Sequence, residues 1–174
     1  MDLSSLPTFA GPDIFHVIVE APRGSTLKLK YEPRWEAMTI SRPLPIGVRF
    51  PFDWGFVPST RGPDGDPIDA MVLWDLSSVP GLVMPCRAVG VLQVEQNRAN
   101  NDPTARIRND RLLALPVDAR REDDHLATAT MNARLRLEIE RFTIAATELE
   151  GKDVRIVGWG DAKTALQLIR DSAA

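Results

Sequence analysis

Residues 64–74, Asp64-Gly65-Asp66-Pro67-Ile68-Asp69-Ala70-Met71-Val72-Leu73-Trp74, crowd three carboxylates into a turn and run directly into an apolar segment. Gly65 permits a tight turn and Pro67 stiffens the entry to that segment. Ile68–Trp74 is short, apolar and bounded by turn residues, the pattern of a buried strand. Working outward, similar runs punctuated by Pro and Gly recur through the first two thirds of the chain. They predict strands over Ile14–Glu20, Leu27–Glu32, Met38–Ile40, Val83–Val94 and Leu112–Leu115, and a later run, Val154–Trp159, completes the set.

Helical periodicity comes late. Met131, Leu135, Ile139, Phe142 and Ala146 recur every three or four residues and predict a helix over Thr130–Ala146. Asp161 can cap a second helix whose Ala162, Ala165, Leu166 and Ile169 form another apolar stripe. Strands first and helices last give an α+β class, because no early helix is available for a parallel crossover. Gln96–Arg108, rich in Asn, Arg, Asp and Pro, reads as a long exposed loop between two strands.

At 174 residues, with 44% hydrophobic and 26% charged side chains, the chain has the size and balance of a single domain spanning 1–174. Its net charge of −3 provides no global attraction for nucleic acid or an anionic membrane, so neither is an expected partner. The lone Cys86, inside an apolar run, favours a packing role and a reducing compartment. No segment reads as a signal peptide or a bilayer span, and a cytoplasmic location is expected.

Clustered carboxylates repel one another, and a hard divalent cation relieves that repulsion by taking their oxygens as ligands. An acidic surface turn that binds nothing has the same composition, so spacing alone leaves both readings open. A calcium-binding EF-hand fits worse, since its loop wants an acidic or amide residue at Ile68 and a glycine at Asp69.

Asp64 to Ala70 resembles, residue by residue, the signature of the soluble family I inorganic pyrophosphatases. The likeness extends to Val19-Glu20 with Pro22, Leu29-Lys30-Tyr31-Glu32, Ser41-Arg42, Pro51 and Gly55. Further on it takes in Cys86-Arg87, Val89-Gly90-Val91-Leu92 and Gly158-Trp159, in the family's order. It covers the chain from Phe15 onward and implies a five-stranded OB-like β-barrel with flanking C-terminal helices. The implied activity is magnesium-dependent hydrolysis of pyrophosphate to two phosphates, by a homo-oligomer that is commonly a hexamer in bacteria.

By this resemblance Asp64 and Asp69 are Mg2+ ligands, Glu20 assists a metal, and Asp66 takes a proton from the attacking water. Lys30, Arg42 and Arg111 bind phosphate, while Glu32 and Trp54 support them. A plainer reading of Lys30 and Glu32 is a solvated strand face with surface ion pairs. The family carries tyrosines where Phe50, Trp54 and Phe56 stand, and further metal-binding aspartates where Gln96 and Asn109 align. Its lysine is replaced by Arg111, and its Tyr-Lys pair falls around Ala145, Ala146 and Thr147. Glu95 and Asp110 are candidate compensating ligands. These departures open an alternative, a weakened or noncatalytic homologue binding metal, phosphate or a nucleotide. The implied barrel with Trp35, Phe50, Phe52, Trp54 and Phe56 raises a single-strand nucleic-acid module as a third reading, which the acidic balance disfavours.

Overall fold

Two short strands, β1 (Phe9–Gly11) and β2 (Ile14–Ala21), lead into a hairpin of β3 (Leu27–Glu32) and β4 (Ala37–Pro43). Then come β5 (Asp53–Phe56), β6 (Asp69–Val72), the long β7 (Val83–Asn97), β8 (Arg106–Arg108) and β9 (Arg111–Pro116). Helix α1 (Ala133–Thr147), strand β10 (Arg155–Gly160) and helix α2 (Ala162–Ser172) complete the chain. The computed structural model describes residues 2–97, 105–119 and 130–173.

β2 pairs with β5, β5 with β6, β6 with β9, β9 with β7, and β7 returns to β2, so five strands close into a ring. The expected five-stranded architecture is this ring, inside an eight-stranded sheet that also holds β1, β8 and β10. Within the ring only β6 and β9 run parallel. β7 makes closure workable because its successive stretches serve β2, β9, β10 and β8 in turn, with a register shift between Ala88 and Gly90. Such a bulge bends a strand and increases its twist.

Alternating residues feed two cores, as a strand period of two demands. Leu113 and Leu115 join Trp54, Met71 and the α1 residues Ile139, Phe142 and Ala146. Leu112 and Ala114 join Phe15, Val17, Cys86 and the α2 residues Ala165 and Ile169. Burial pushes the Cys86 thiol pKa up to about 12, in keeping with a packing role.

Three strands were not expected from the sequence. β1 and β8 are three residues each, too short for alternation to register. β5 is masked by Asp53 and Gly55, yet all four of its residues are buried. Gly55 is required there, because a Cβ would stand 1.9 Å from the Ile18 carbonyl oxygen of β2. The loop expected over 96–108 is corrected at both ends: Glu95, Gln96 and Asn97 pair with Arg108, Ile107 and Arg106, and residues 98–104 lie outside the described residues. Helix α1 starts later than expected, where the Asn132 side chain accepts from Leu135 N at 2.8 Å. Asp161 caps α2 as its sequence suggests. Of the five aromatics considered for base stacking, Phe50, Phe52, Trp54 and Phe56 are buried and Trp35 is exposed. Among the described residues no helix is long and apolar enough to cross a membrane.

Candidate active site

The acidic turn opens onto a cleft of about 500 Å³ between the ring, the β3–β4 hairpin and α1. Pairing of β6 with β5 and β9 fixes Asp69 at the strand's first residue, and Asp64 and Asp66 sit in the turn before it. On β3, Lys28, Lys30 and Glu32 share one face by strand alternation, and all three line the cleft. Glu20 reaches it from β2 and accepts from Tyr31 N at 2.8 Å, which ties the hairpin to the ring.

The cleft therefore brings together Glu20, Lys30, Glu32, Arg42, Trp54, Asp64, Asp66, Asp69 and Arg111, every one a residue singled out by sequence. It does not bring Glu95 or Asp110. Glu95 lies 3.6 Å from Arg106 Nε, and Asp110 accepts from Val94 N at 2.9 Å and from both ends of the Arg108 guanidinium. Two of their neighbours behave differently: buried Gln96 does not line the cleft, whereas Asn109 does.

Asp64, Asp66 and Asp69 each already have a protein donor. Asn109 Nδ2 donates to Asp64 Oδ2 at 2.8 Å, Lys30 Nζ to Asp66 Oδ1 at 3.1 Å, and Arg111 Nη1 lies 2.6 Å from Asp69 Oδ2. Arg111 also donates to Asn109 Oδ1 and stacks its guanidinium 5.5 Å over the Trp54 ring. Among the described residues lining the cleft, two buried donors remain without a partner, Arg111 Nε and Trp54 Nε1. An unpaired buried donor is costly, and an incoming phosphate oxygen is the kind of acceptor that would relieve it.

Electrostatics follow from crowding. Burial raises the Glu20 carboxyl to a pKa of about 7, with the charge of Asp69 adding to the rise. Burial also pushes Asp64 upward; the Asp66 N–H opposes this, and the charges of Asp69 and Asp66 reinforce it. Desolvation alone would lower the Lys30 ammonium, but contact with Asp66 more than offsets it and raises the net value.

Among the described residues no three His, Cys, Asp or Glu side chains converge enough to cage a metal ion by themselves. Magnesium does not need such a cage, since it commonly takes one or two carboxylates and completes its shell with water and substrate phosphate oxygens. Asp64 and Asp69, crowded enough that one raises the pKa of the other and facing basic side chains, fit that mode of binding.

Sequence reasoning missed Lys28, Glu150 and Lys152, which also line the cleft. Strand alternation with Lys30 could have found Lys28. Glu150-Gly151-Lys152 carries no such signal, because its place depends on how α1 ends and packs.

A family model described as inorganic pyrophosphatase matches residues 17–174. The inorganic pyrophosphatase of Thermus thermophilus is 34% identical over 173 residues, covering 97% of this chain and 94% of that protein. The Mesorhizobium japonicum enzyme of the same name is 36% identical over 164 residues, covering 92% and 89%. The crystal structure of the Thermus thermophilus inorganic pyrophosphatase superposes with a TM-score of 0.87 at 32% identity, covering 99% of this chain and 97% of that one. A profile, near full-length relatives and a superposable fold all agree, and the chain belongs to the inorganic pyrophosphatase family.

Proposed function

We propose that this protein hydrolyses inorganic pyrophosphate to two phosphates with Mg2+. The observation that carries the reading is the meeting, in one cleft, of the acidic turn Asp64, Asp66, Asp69 with the cations Lys30, Arg42 and Arg111. Magnesium held by Asp64 and Asp69, with Glu20 behind them, would supply positive charge to the phosphoryl oxygens.

The side chains do the rest. Asp66 is 62% exposed at its side chain, open to solvent, and takes the proton of the attacking water. Lys30 and Arg42 hold the phosphate oxygens as anions, Arg42 with the planar fork suited to bidentate contact. Arg111 is fixed by Asp69, Asn109 and Trp54, and its free Nε is a donor for the substrate. Glu32 accepts from Arg34 N and Nε, steadying the end of the strand that carries Lys30. By kinship the working form is a cytoplasmic homo-oligomer, a hexamer, which light scattering tests. Release of phosphate from pyrophosphate with magnesium, measured beside Asp66→Asn, tests the chemistry: rates equal to background in both proteins reject hydrolysis.

A second reading draws on one observation, the occupation of Asp64 and Asp69 by Asn109 and Arg111. In it the cleft binds metal with phosphate or a nucleotide and performs no turnover. Titration with magnesium and imidodiphosphate separates the two, since binding without phosphate release favours it and absence of binding rejects it.

A further inference from the structure

Among the described residues six acidic and five basic side chains line the cleft, and four of these cations are already matched internally. Lys30 faces Asp66 and Arg111 faces Asp69. In the remaining cluster Arg42 and Lys152 flank Glu150, a carboxylate with no part in the hydrolysis.

Glu150 uses its two oxygens separately. Oε1 is in ion-pair contact with Arg42 Nη2, and Oε2 lies 2.8 Å from Lys152 Nζ. Arg42 is also the direct cross-strand partner of Lys28. Like charges placed opposite one another on a strand pair are destabilising, so this corner requires an anion. Nothing in Glu150's own element recruits it. It closes the 3-10 turn Glu148–Glu150 that continues α1, where the negative end of the helix dipole disfavours a carboxylate. Burial would raise its pKa, yet the hydrogen bond and charge of Lys152, with Arg42 and Lys28, hold it below the usual value.

The backbone fixes the cations more firmly than the anion. Lys152 follows Gly151, whose φ of 66° makes a left-handed turn, and its carbonyl accepts from Asn97 N at the end of β7 at 2.7 Å. Arg42 is held in the β3–β4 ladder. A carboxylate bridging Arg and Lys presents the same pair of anionic oxygens that a phosphate group does.

We propose that Arg42 and Lys152, with Lys28 beside them, form a phosphate seat, and that the Glu150 carboxylate occupies this seat until a substrate phosphate displaces it. Lys152 is then a phosphate-binding residue, and Glu150 is an internal competitor that selects for polyanions. A single phosphate must break the Glu150 contacts with little in return, whereas pyrophosphate gains Lys30, and the cation that the acidic turn would hold, through its second phosphoryl group. This rests on the reading that the cleft takes phosphates, and it holds with or without turnover.

The test is calorimetric titration with imidodiphosphate and magnesium on the full chain, with unfolding midpoints measured alongside. Glu150→Gln is expected to bind about three- to tenfold more tightly, the scale of one partly exposed ion pair, and Lys152→Met to bind more weakly by a similar factor. In the double variant the gain from Glu150→Gln disappears. Orthophosphate gains affinity in Glu150→Gln as well. Unchanged or weaker binding by a folded Glu150→Gln overturns the proposal, as does unchanged affinity in Lys152→Met, which decides alone should Glu150→Gln fail to fold. Phosphate release assayed in parallel keeps the two readings apart. A wild type that binds the analogue without turnover defeats hydrolysis and leaves the seat standing, and binding by neither wild type nor Glu150→Gln defeats the seat.

Discussion

Arg111, 4% exposed, places one guanidinium nitrogen 2.6 Å from Asp69 Oδ2, so a fixed internal cation faces the first residue of the strand beyond the acidic turn. Removing one member of a buried ion pair leaves the other uncompensated. Arg111→Met is expected to lower unfolding stability by roughly 3 kcal/mol in chemical denaturation, and Arg111→Lys to recover part of it. Equal stability of wild type and Arg111→Met would mean that solvent already screens Asp69.

Asp66 is largely exposed, so its loss should affect chemistry and leave the fold intact. Asp66→Asn is expected to reduce pyrophosphate turnover by about 10²-fold or more, the usual contribution of a positioned general base. Its denaturation midpoint should match the wild type, and a stability loss on the scale of the activity loss would contradict the assigned role.

Glu20 predicts a pH dependence. Its pKa rises from 4.5 when unfolded to about 7 when folded, chiefly through burial. Between those values the folded chain keeps a proton that the unfolded chain releases, so this group's contribution falls as pH rises through the window and levels off above it. In metal-free buffer the loss is about 3 kcal/mol by the size of the shift. Glu20→Gln retains an acceptor for Tyr31 N and should flatten that part of the profile; two parallel profiles would remove Glu20 as the cause.

Asn109 donates to Asp64 where a third carboxylate would help to hold a cation. Asn109→Asp should therefore enlarge the rise in melting temperature caused by manganese, because another oxygen ligand and another negative charge join Asp64 and Asp69. A shift no larger than that of the wild type would place residue 109 outside the metal's reach.

Much of this site was legible because its chemistry is local in sequence. The acidic turn is read from adjacent residues, Lys30 and Arg42 are found through the family resemblance of their short motifs, and the cleft between ring and hairpin gathers them. β3 matches its expected bounds, and Asp161 caps α2, for the same reason. The features that escaped were non-local. Asp53–Phe56 hid as a strand because its glycine answers a close approach from β2 rather than a local pattern. Glu150 meets Arg42 and Lys152 only once α1 has packed and β7 has paired with β10. Asp110 looked like a spare ligand until Arg108 and the Val94 backbone claimed its oxygens.

The most direct measurement runs the reaction in ¹⁸O-labelled water with pyrophosphate and magnesium and tracks the phosphate formed by mass spectrometry. Attack by one water predicts one labelled oxygen shared between every two phosphates, at a rate far above the protein-free control and abolished by chelation. Product formation no faster than that control, from folded protein with magnesium present, would contradict hydrolysis in this cleft.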